Sequence, residues 1–334
     1  MDNKKNILVI GGAGFIGAHL CERLLSESNV ICVDNFVTSS ENNINHLLRA
    51  PNFKFIKADI TEKLNLENNK ELASLQLKVF GIQEVYNLAC PTSVKNFEKL
   101  KLDTVRTQTL GLINALDIAV KYQARFLQAS SSVVYGETPK DEFVKEDFQG
   151  ISRLDDPRAC YDEGKRYAET VVRTYAEIKG LEVRTIRFFR TYGPKMLLDD
   201  GQMIPDFIIN ALENKNLTIY GTKDFTTSLC YVSDAVEGCL KVMRSDIKEP
   251  VNVGSTDVYK IGDIAEKIID LTNSKSEIKT AEKELFMREL ALPDITKIKE
   301  DLGWIPVVTL EDGLQKTIDF TKAHKNLLTF STDI

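Results

Sequence analysis

Histidine is scarce in this chain: the three residues, at positions 19, 46 and 324, lie far apart. That argues against a histidine-based metal centre. The six cysteines, at 21, 32, 90, 160, 230 and 239, form no Cys-x-x-Cys pair and no metal-like spacing with histidine. Reduced, mostly buried thiols are therefore expected. No apolar run approaches the ~20 residues needed to span a bilayer. Met1-Asp2-Asn3-Lys4-Lys5 leads directly into a strand-like run with no signal-like segment before it, so the expected location is the cytoplasm. Positive charge is not in excess either. Lys and Arg number 43 against 49 Asp and Glu, giving a net charge of −6 and a pI of ≈ 5.4. A nucleic-acid surface needs clustered cations, so none is expected, whereas a small cation cluster for a diphosphate stays open. No internal repeat, low-complexity tract or Pro/Gly-rich linker divides the 334 residues.

What is present suits a soluble α/β chain, long enough for one large domain or two intimately joined ones. Ile7-Leu8-Val9-Ile10 is a continuous apolar run of the kind that forms a buried parallel strand. Gly11-Gly12-Ala13-Gly14-Phe15-Ile16-Gly17 follows and opens an amphipathic helix. Glycines 11, 14 and 17 permit a tight turn, close approach to a pyrophosphate and close helix–strand packing. Phe15 and Ile16 lie in the same turn. A second strand, Val30-Ile31-Cys32-Val33, ends at Asp34-Asn35. A carboxylate at that distance can accept from both ribose hydroxyls and repels a 2′-phosphate, which favours NAD over NADP. Phe53-Lys54-Phe55-Ile56-Lys57 is a third strand, ending at Asp59-Ile60, where an acid commonly meets the adenine. A fourth runs from Val85 to Leu88-Ala89, beside the expected cofactor phosphates, and a fifth, Arg125 to Ala129, opens onto Ser130-Ser131-Ser132-Val133. A helix is expected over 104–122 and a sixth strand over Val183–Phe188.

Tyr161 and Lys165 sit four residues apart in a run that begins near Pro157 and stops near Gly180. On a helix they lie one above the other. A free phenol has a pKa of about 10, and an ammonium one turn away together with a cationic nicotinamide ring favours the phenolate. After Phe189 the elements shorten, with helices expected over 204–212, 261–272, 295–302 and 312–323 and strands at 217–220 and 251–253. The expected fold is a Rossmann-type doubly wound parallel sheet with a smaller C-terminal α/β lobe. Residues 1–189 form mainly the NAD-binding part. Residues 190–330 form mainly the substrate-binding lobe, some segments returning to the sheet.

The motifs GGAGFIG, VDNF, ASSSVVYG, PRACYDEGKR, TYGP, LTIYG, YVSD, VNVG and LGW, in this order along nearly the whole chain, resemble the extended short-chain dehydrogenase/reductase family. Within its nucleotide-sugar branch the likeness is greatest to UDP-glucuronate decarboxylases. The resemblance implies that Tyr161 takes the proton from a sugar 4-hydroxyl, Ser131 hydrogen-bonds that oxygen, and carbon 4 passes hydride to NAD. Lys165 is implied to bind the nicotinamide ribose and to depress the Tyr161 pKa. A homodimer through helices at 104–122 and 161–179 is implied as well.

Several positions depart from the family pattern. Where dehydratases and decarboxylases carry Glu, this chain has Val133 beside Ser132, so elimination of water lacks its acid–base group. A β-branched residue there also simply packs well at a strand end. The basic residue expected two places before Pro293 is Ala291, Thr227 stands at the usual diphosphate Arg, Arg190 replaces an Asn, and Gln108 replaces another. Arg190 is the first candidate for the missing diphosphate cation, with an ion-pairing role as its alternative. Lys195, Lys223 and Arg288 follow, and Tyr220 joins the substrate side. The expected activity is NAD-dependent oxidation at carbon 4 of a GDP- or UDP-linked hexose or heptose, yielding the 4-keto sugar nucleotide or its C4 epimer. UDP-glucuronate decarboxylation, forming UDP-xylose or a 4-keto-pentose, is the alternative. A non-catalytic NAD-sensing protein is the reading from another class.

Overall fold

The computed structural model describes residues 4–282 and 291–325; Arg288 lies outside them. Strand β1 (Asn6–Ile10) is buried along its whole length. Alternate side chains of a strand face opposite sides, and here Ile7 and Val9 join one apolar layer while Leu8 and Ile10 join the other. The chain continues through α1 (Phe15–Leu24), β2 (Asn29–Asp34), β3 (Phe53–Lys57), the one-turn α2 (Leu77–Phe80) and β4 (Glu84–Asn87). Helices α3 (Phe97–Arg106) and α4 (Leu112–Tyr122) are joined by a π-helical turn, Thr107–Gly111. Next come β5 (Arg125–Ser131), the short β6 (Phe143–Val144), α5 (Ala159–Lys179) and β7 (Val183–Phe188). Helix α5 stops at Gly180, whose φ of 65° is left-handed and favours glycine.

The C-terminal half adds β8 (Thr191–Tyr192), α6 (Met203–Leu212), β9 (Leu217–Tyr220), β10 (Thr226–Ser228), β11 (Cys230–Tyr231), α7 (Val232–Arg244) and β12 (Val251–Val253). It ends with β13 (Val258–Lys260), α8 (Ile261–Thr272), β14 (Ile278–Ala281), β15 (Leu292–Pro293), α9 (Thr296–Leu302) and α10 (Leu310–His324). Seven strands form one parallel sheet in the order β12-β7-β5-β4-β1-β2-β3. Leu20, Leu24, Ala235 and Cys239 of α1 and α7 cover one face, and Leu112, Leu116, Ala168 and Val172 of α4 and α5 cover the other. This is the doubly wound Rossmann arrangement. Strand order reverses direction between β1 and β4, which opens a crevice at their carboxyl ends.

Besides short elements absent from the sequence reading, such as β6, β8 and β13, three longer differences stand out. The helix expected from 104 begins at Phe97, because Phe97 and Thr104 are both buried on one face, and its π turn brings Gln108 and Gly111 inward. The fourth strand stops at Asn87 rather than 89, and Leu88 and Ala89 turn onto the crevice wall. Helix α7 has no counterpart in that reading. It packs closely because Gly238 lets it approach β12: a Cβ there would lie 3.0 Å from Val253 Cγ1.

Strand β12 pairs in parallel with β7, Val251 opposite Ile186 and Val253 opposite Phe188. Asn252 between them is fully buried. Its amide nitrogen donates to the carbonyls of Val144 and Asp294, each at 3.0 Å, and its side-chain oxygen accepts from the Tyr135 hydroxyl. Asn252→Ala removes three hydrogen bonds, each contributing about 0.5–1.5 kcal/mol, although the Val144 carbonyl keeps its bond from Asp294 N and the Tyr135 hydroxyl its bond from Arg187. Chemical denaturation is expected to show a loss of roughly 2–4 kcal/mol, and a loss under ~0.5 kcal/mol contradicts this account of the strand.

Candidate active site

The crevice at the carboxyl ends of the strands is a cavity of about 520 Å³. At one end lies the turn between β1 and α1. Gly11 has φ 77°, and a Cβ on it would sit 2.7 Å from the Ala89 nitrogen. A Cβ on Gly17 would sit 2.1 Å from the Gly11 oxygen. Side chains at either point would therefore close the turn that Gly14, Phe15 and Ile16 complete on the cavity wall. Asp34 ends β2 with its carboxylate fixed: Oδ2 accepts from Ala13 N at 2.9 Å, and Oδ1 accepts from Phe36 N at 2.9 Å and Ser39 Oγ at 2.7 Å. Asn35 Nδ2 donates to Asp59 Oδ2 at 3.1 Å, and Thr61 N donates to Asp59 Oδ1 at 2.8 Å. Burial pushes the Asp59 carboxyl up, but the Thr61 and Asn35 donors outweigh it and hold the group below its usual range. Ile60, Leu88 and Ala89 supply apolar wall beside these acids. A phosphate-sized cradle, an anchored acid for a ribose diol and an apolar slot beyond it fit a dinucleotide.

In the middle of the cavity stand Ser131, Tyr161 and Lys165. Tyr161 is in the first turn of α5, and its phenol is hydrogen-bonded to the Ser131 hydroxyl at the end of β5. Lys165 Nζ lies 5.7 Å from the Tyr161 ring centroid and donates to the Ala129 carbonyl at 2.9 Å. Burial raises the Tyr161 pKa well above the phenol range, and neighbouring Cys90 adds to it, whereas Arg158 and the Ser131 hydrogen bond lower it. The Arg158 guanidinium sits 5.6 Å from the Tyr161 ring centroid. In the protein alone, Arg158 and Ser131 favour the phenolate, while the Lys165 ammonium is occupied by a backbone carbonyl one turn away. Arg158 lies inside the run that marks the helix, but nothing in its position there identifies it as part of the site.

The far end carries the remaining positions. Ser132 and Val133 are buried on the wall, so the point next to Ser131 offers no carboxylate. Arg190 follows β7 and lines the cavity, as do Tyr220 at the end of β9 and Thr227 in β10. Burial pushes the Arg190 guanidinium down to about 10, and Arg158 adds to the shift. Lys195 also lines the wall, but its ammonium is held by Glu22 of α1 at 2.9 Å, with His46 at 3.4 Å. Its charge is thus already compensated, which counts against the anion-binding role expected for it. Lys223 instead packs against Gly262 and is not on the wall. Gln108 is buried behind α5, Nε2 donating to Cys90 Sγ at 3.1 Å, rather than on the wall. Ala291 is buried outside the cavity. Asp200 and Asp206 are wall residues that sequence reasoning missed. Burial raises Asp200 to about 7 against hydrogen bonds from Ser93 and Gln202, and raises Asp206 to about 6 against Lys95. Among the described residues no cluster could hold a metal ion, all six cysteines are free, and no helix is long and apolar enough to cross a membrane.

A dinucleotide cradle sharing one crevice with a Ser–Tyr–Lys set defines an NAD-dependent short-chain dehydrogenase/reductase scaffold. The family model described as GDP-mannose 4,6 dehydratase matches residues 8–317, and the chain belongs to that family of nucleotide-sugar enzymes. UDP-glucuronic acid decarboxylase 1 of Danio rerio is 39% identical over 319 residues, 95% of this chain and 73% of that protein. UDP-glucuronic acid decarboxylase 5 of Arabidopsis thaliana is 38% identical, covering 92% of this chain and 86% of its own length. Among solved structures, UDP-glucuronic acid 4-epimerase from Bacillus cereus, in complex with UDP-glucuronic acid and NAD, superposes with a TM-score of 0.82 at 27% identity. It covers 95% of this chain and 99% of its own. The dTDP-glucose 4,6-dehydratase of Bacillus anthracis, in complex with NAD, gives 0.81 at 25% identity, over 97% of this chain and 98% of its own.

The cofactor of this chain is NAD, and the anchored Asp34 carboxylate is expected to favour it over NADP by repelling a 2′-phosphate. Asp34→Ala is expected to narrow the NAD:NADP affinity ratio by at least ~10-fold, since it removes one charge-assisted hydrogen-bonding group. Calorimetric titration of both cofactors checks this, and equal affinity of the unmodified protein for the two contradicts it.

Proposed function

We propose that the protein oxidises carbon 4 of a nucleotide-activated sugar, GDP- or UDP-linked, and releases either the 4-keto sugar nucleotide or its C4 epimer. The observation that carries this reading is the hydrogen-bonded Ser131–Tyr161 pair in the same crevice as the glycine turn, with Val133 rather than an acid beside it. When bound, NAD supplies the hydride acceptor and, for an epimer, the hydride donor. Tyr161 takes the 4-hydroxyl proton as general base, and Ser131 holds the sugar oxygen in line with it. Arg158 over the ring and Ser131 at the phenol oxygen stabilise the negative charge that the base must carry before it acts. Lys165, buried and fixed on the Ala129 carbonyl, is placed to meet the ribose next to the reacting carbon. Val133 leaves no group to protonate a departing hydroxyl, which is why elimination is not proposed.

UDP-glucuronate decarboxylation is the second reading, favoured by the 39% identity to a decarboxylase over 95% of the chain. A 4-keto uronate is a β-keto acid and can lose CO₂ without an added acid. Mass spectrometry of products from a panel of nucleotide sugars separates the two. A product two mass units lighter, or an unchanged mass with altered retention, is expected. Loss of 18 units, or of 44 or 46 from UDP-glucuronate, at about 1 s⁻¹ or faster overturns the first reading. Tyr161→Phe is expected to lower turnover by ~10²-fold or more while NAD still binds, and full activity in that variant removes the base.

We further propose a homodimer through α3, the π turn and α5. Leu102, Val105, Leu110, Tyr167 and Ile178 are exposed apolar residues along these helices, and α3 and α5 pack against each other. Light scattering is expected to give twice the chain mass, falling to one in Leu102→Asp/Leu110→Asp; a monomer mass for the unmodified protein removes the dimer.

A further inference from the structure

Three consecutive residues at the end of β5 are each held by one face of α5. Tyr161, Lys165 and Glu169 follow at four-residue intervals, so they form a single row along the helix. Tyr161 is hydrogen-bonded to the Ser131 hydroxyl, Lys165 Nζ donates to the Ala129 carbonyl at 2.9 Å, and Ser130 Oγ donates to Glu169 Oε1 at 2.5 Å. The first two contacts belong to the chemistry already described. The third lies outside it, since Glu169 is not on the cavity wall. Glu169 is also fixed without Ser130. Arg187 is the register partner of Ser130 across β5 and β7. Its Nε and Nη2 donate to Glu169 Oε1 and Oε2 at 2.9 and 2.7 Å. Such a two-pronged pair fixes the plane of the carboxylate. The charge is matched within the pair, so what it chiefly passes to the site is geometry.

Ser130 is where that geometry enters the site. Adjacent residues of a strand point to opposite faces. A Ser130 side chain fixed on Glu169 therefore sets the rotation of the strand end, and Ser131, one residue on, is turned onto the crevice wall. Beyond Ser131 the hold is weak: its Oγ accepts from Val133 N at 3.4 Å, where the short 3₁₀ turn Ser132–Tyr135 begins. The direction of Ser131 thus depends on the residue before it. We infer that Ser130, anchored by Glu169, is a positioning residue that keeps the Ser131 hydroxyl on the Tyr161 phenol. The inference rests on Tyr161 as the base of carbon 4 oxidation, and it adds a residue that acts only through its neighbour.

Ser130→Ala tests this while Arg187 still holds Glu169, and a melting temperature within about 5 °C of the unmodified protein shows the fold intact. Reduction of bound NAD is followed by nicotinamide absorbance, with UDP-glucuronate and GDP-mannose as probes. Ser130→Ala is expected to lower kcat about 10- to 100-fold, as a misplacement of about 1 Å does. KM and NAD affinity are expected to stay within about 3-fold. The Ser131 hydrogen bond favours the phenolate, so its loss moves the acid limb of the kcat profile to higher pH, by about one unit. Ser130→Thr, which keeps the hydroxyl, is expected to restore most of both. Crystals of the unmodified protein and of Ser130→Ala, each with NAD, give a readout that needs no turnover. The Ser131–Tyr161 hydrogen bond is expected to open beyond about 3.5 Å in the variant. A bond kept in Ser130→Ala, or a pH limb that does not move, assigns Ser130 to structure and overturns the inference. A parallel fall in kcat and NAD affinity, which reports a loosened fold, overturns it too. Full activity in Tyr161→Phe instead removes the base itself, whatever Ser130→Ala does.

Discussion

The helix that carries Tyr161 is tied to the sheet by a largely buried carboxylate, Glu169. It lies two turns beyond Tyr161 and one beyond Lys165 on α5, accepts from Ser130 Oγ at 2.5 Å, and takes a two-pronged hydrogen bond from Arg187 of β7 at 2.9 and 2.7 Å. Both partners of the ion pair are largely withdrawn from solvent, where breaking one side of such a pair is strongly destabilising. Arg187 also donates to the Tyr135 hydroxyl at 3.0 Å and to the Glu146 carbonyl at 2.7 Å, and Tyr135 passes the network on to Asn252. One carboxylate thereby sets α5, β5, β7 and β12 against one another. Ser131 follows Ser130 directly, so the spacing between Ser131 and Tyr161 is a consequence of this network rather than of the two residues themselves.

The charges around Tyr161 follow from that frame. The buried phenol holds its proton strongly, and the protein answers with a hydrogen bond from Ser131 and a guanidinium over the ring face. Such an arrangement keeps the phenol neutral until a bound ligand adds positive charge. Acidic residues farther along the wall, Asp200 and Asp206, are raised towards neutrality by the same burial, which limits the negative charge presented to an incoming anionic substrate.

Much of the sheet was legible in the sequence, because a parallel strand covered on both faces is a continuous apolar run, as Ile7 to Ile10 and Val30 to Val33 are. The glycine turn, Asp34, Ser131, Tyr161 and Lys165 were legible because each sits at a fixed offset from a strand end or along one helix face. What was not legible depends on partners distant in the chain. Lys195 reads as a free cation until Glu22, 173 residues away, is found to hold it. Arg158 stands in plain view inside the helix motif, yet its relation to Arg190 exists only once β7 lies beside α5. Helix α7 escaped because Gly238 and the scattered polar residues of 232–244 weaken its pattern, whereas its stability comes from packing against α1, β7 and β12.

The last strand of the sheet arrives late. Because β12 is contributed by residues 251–253 and pairs with β7, the amino-terminal half cannot finish its own sheet while the chain is being made. Until then β7 is an edge with open backbone donors and acceptors, and Arg187 and Tyr135 wait for an asparagine still to come. Unpaired strand edges of this kind recruit other chains. The boundary expected between a cofactor-binding half and a substrate-binding half is therefore not a seam along which the chain can be cut.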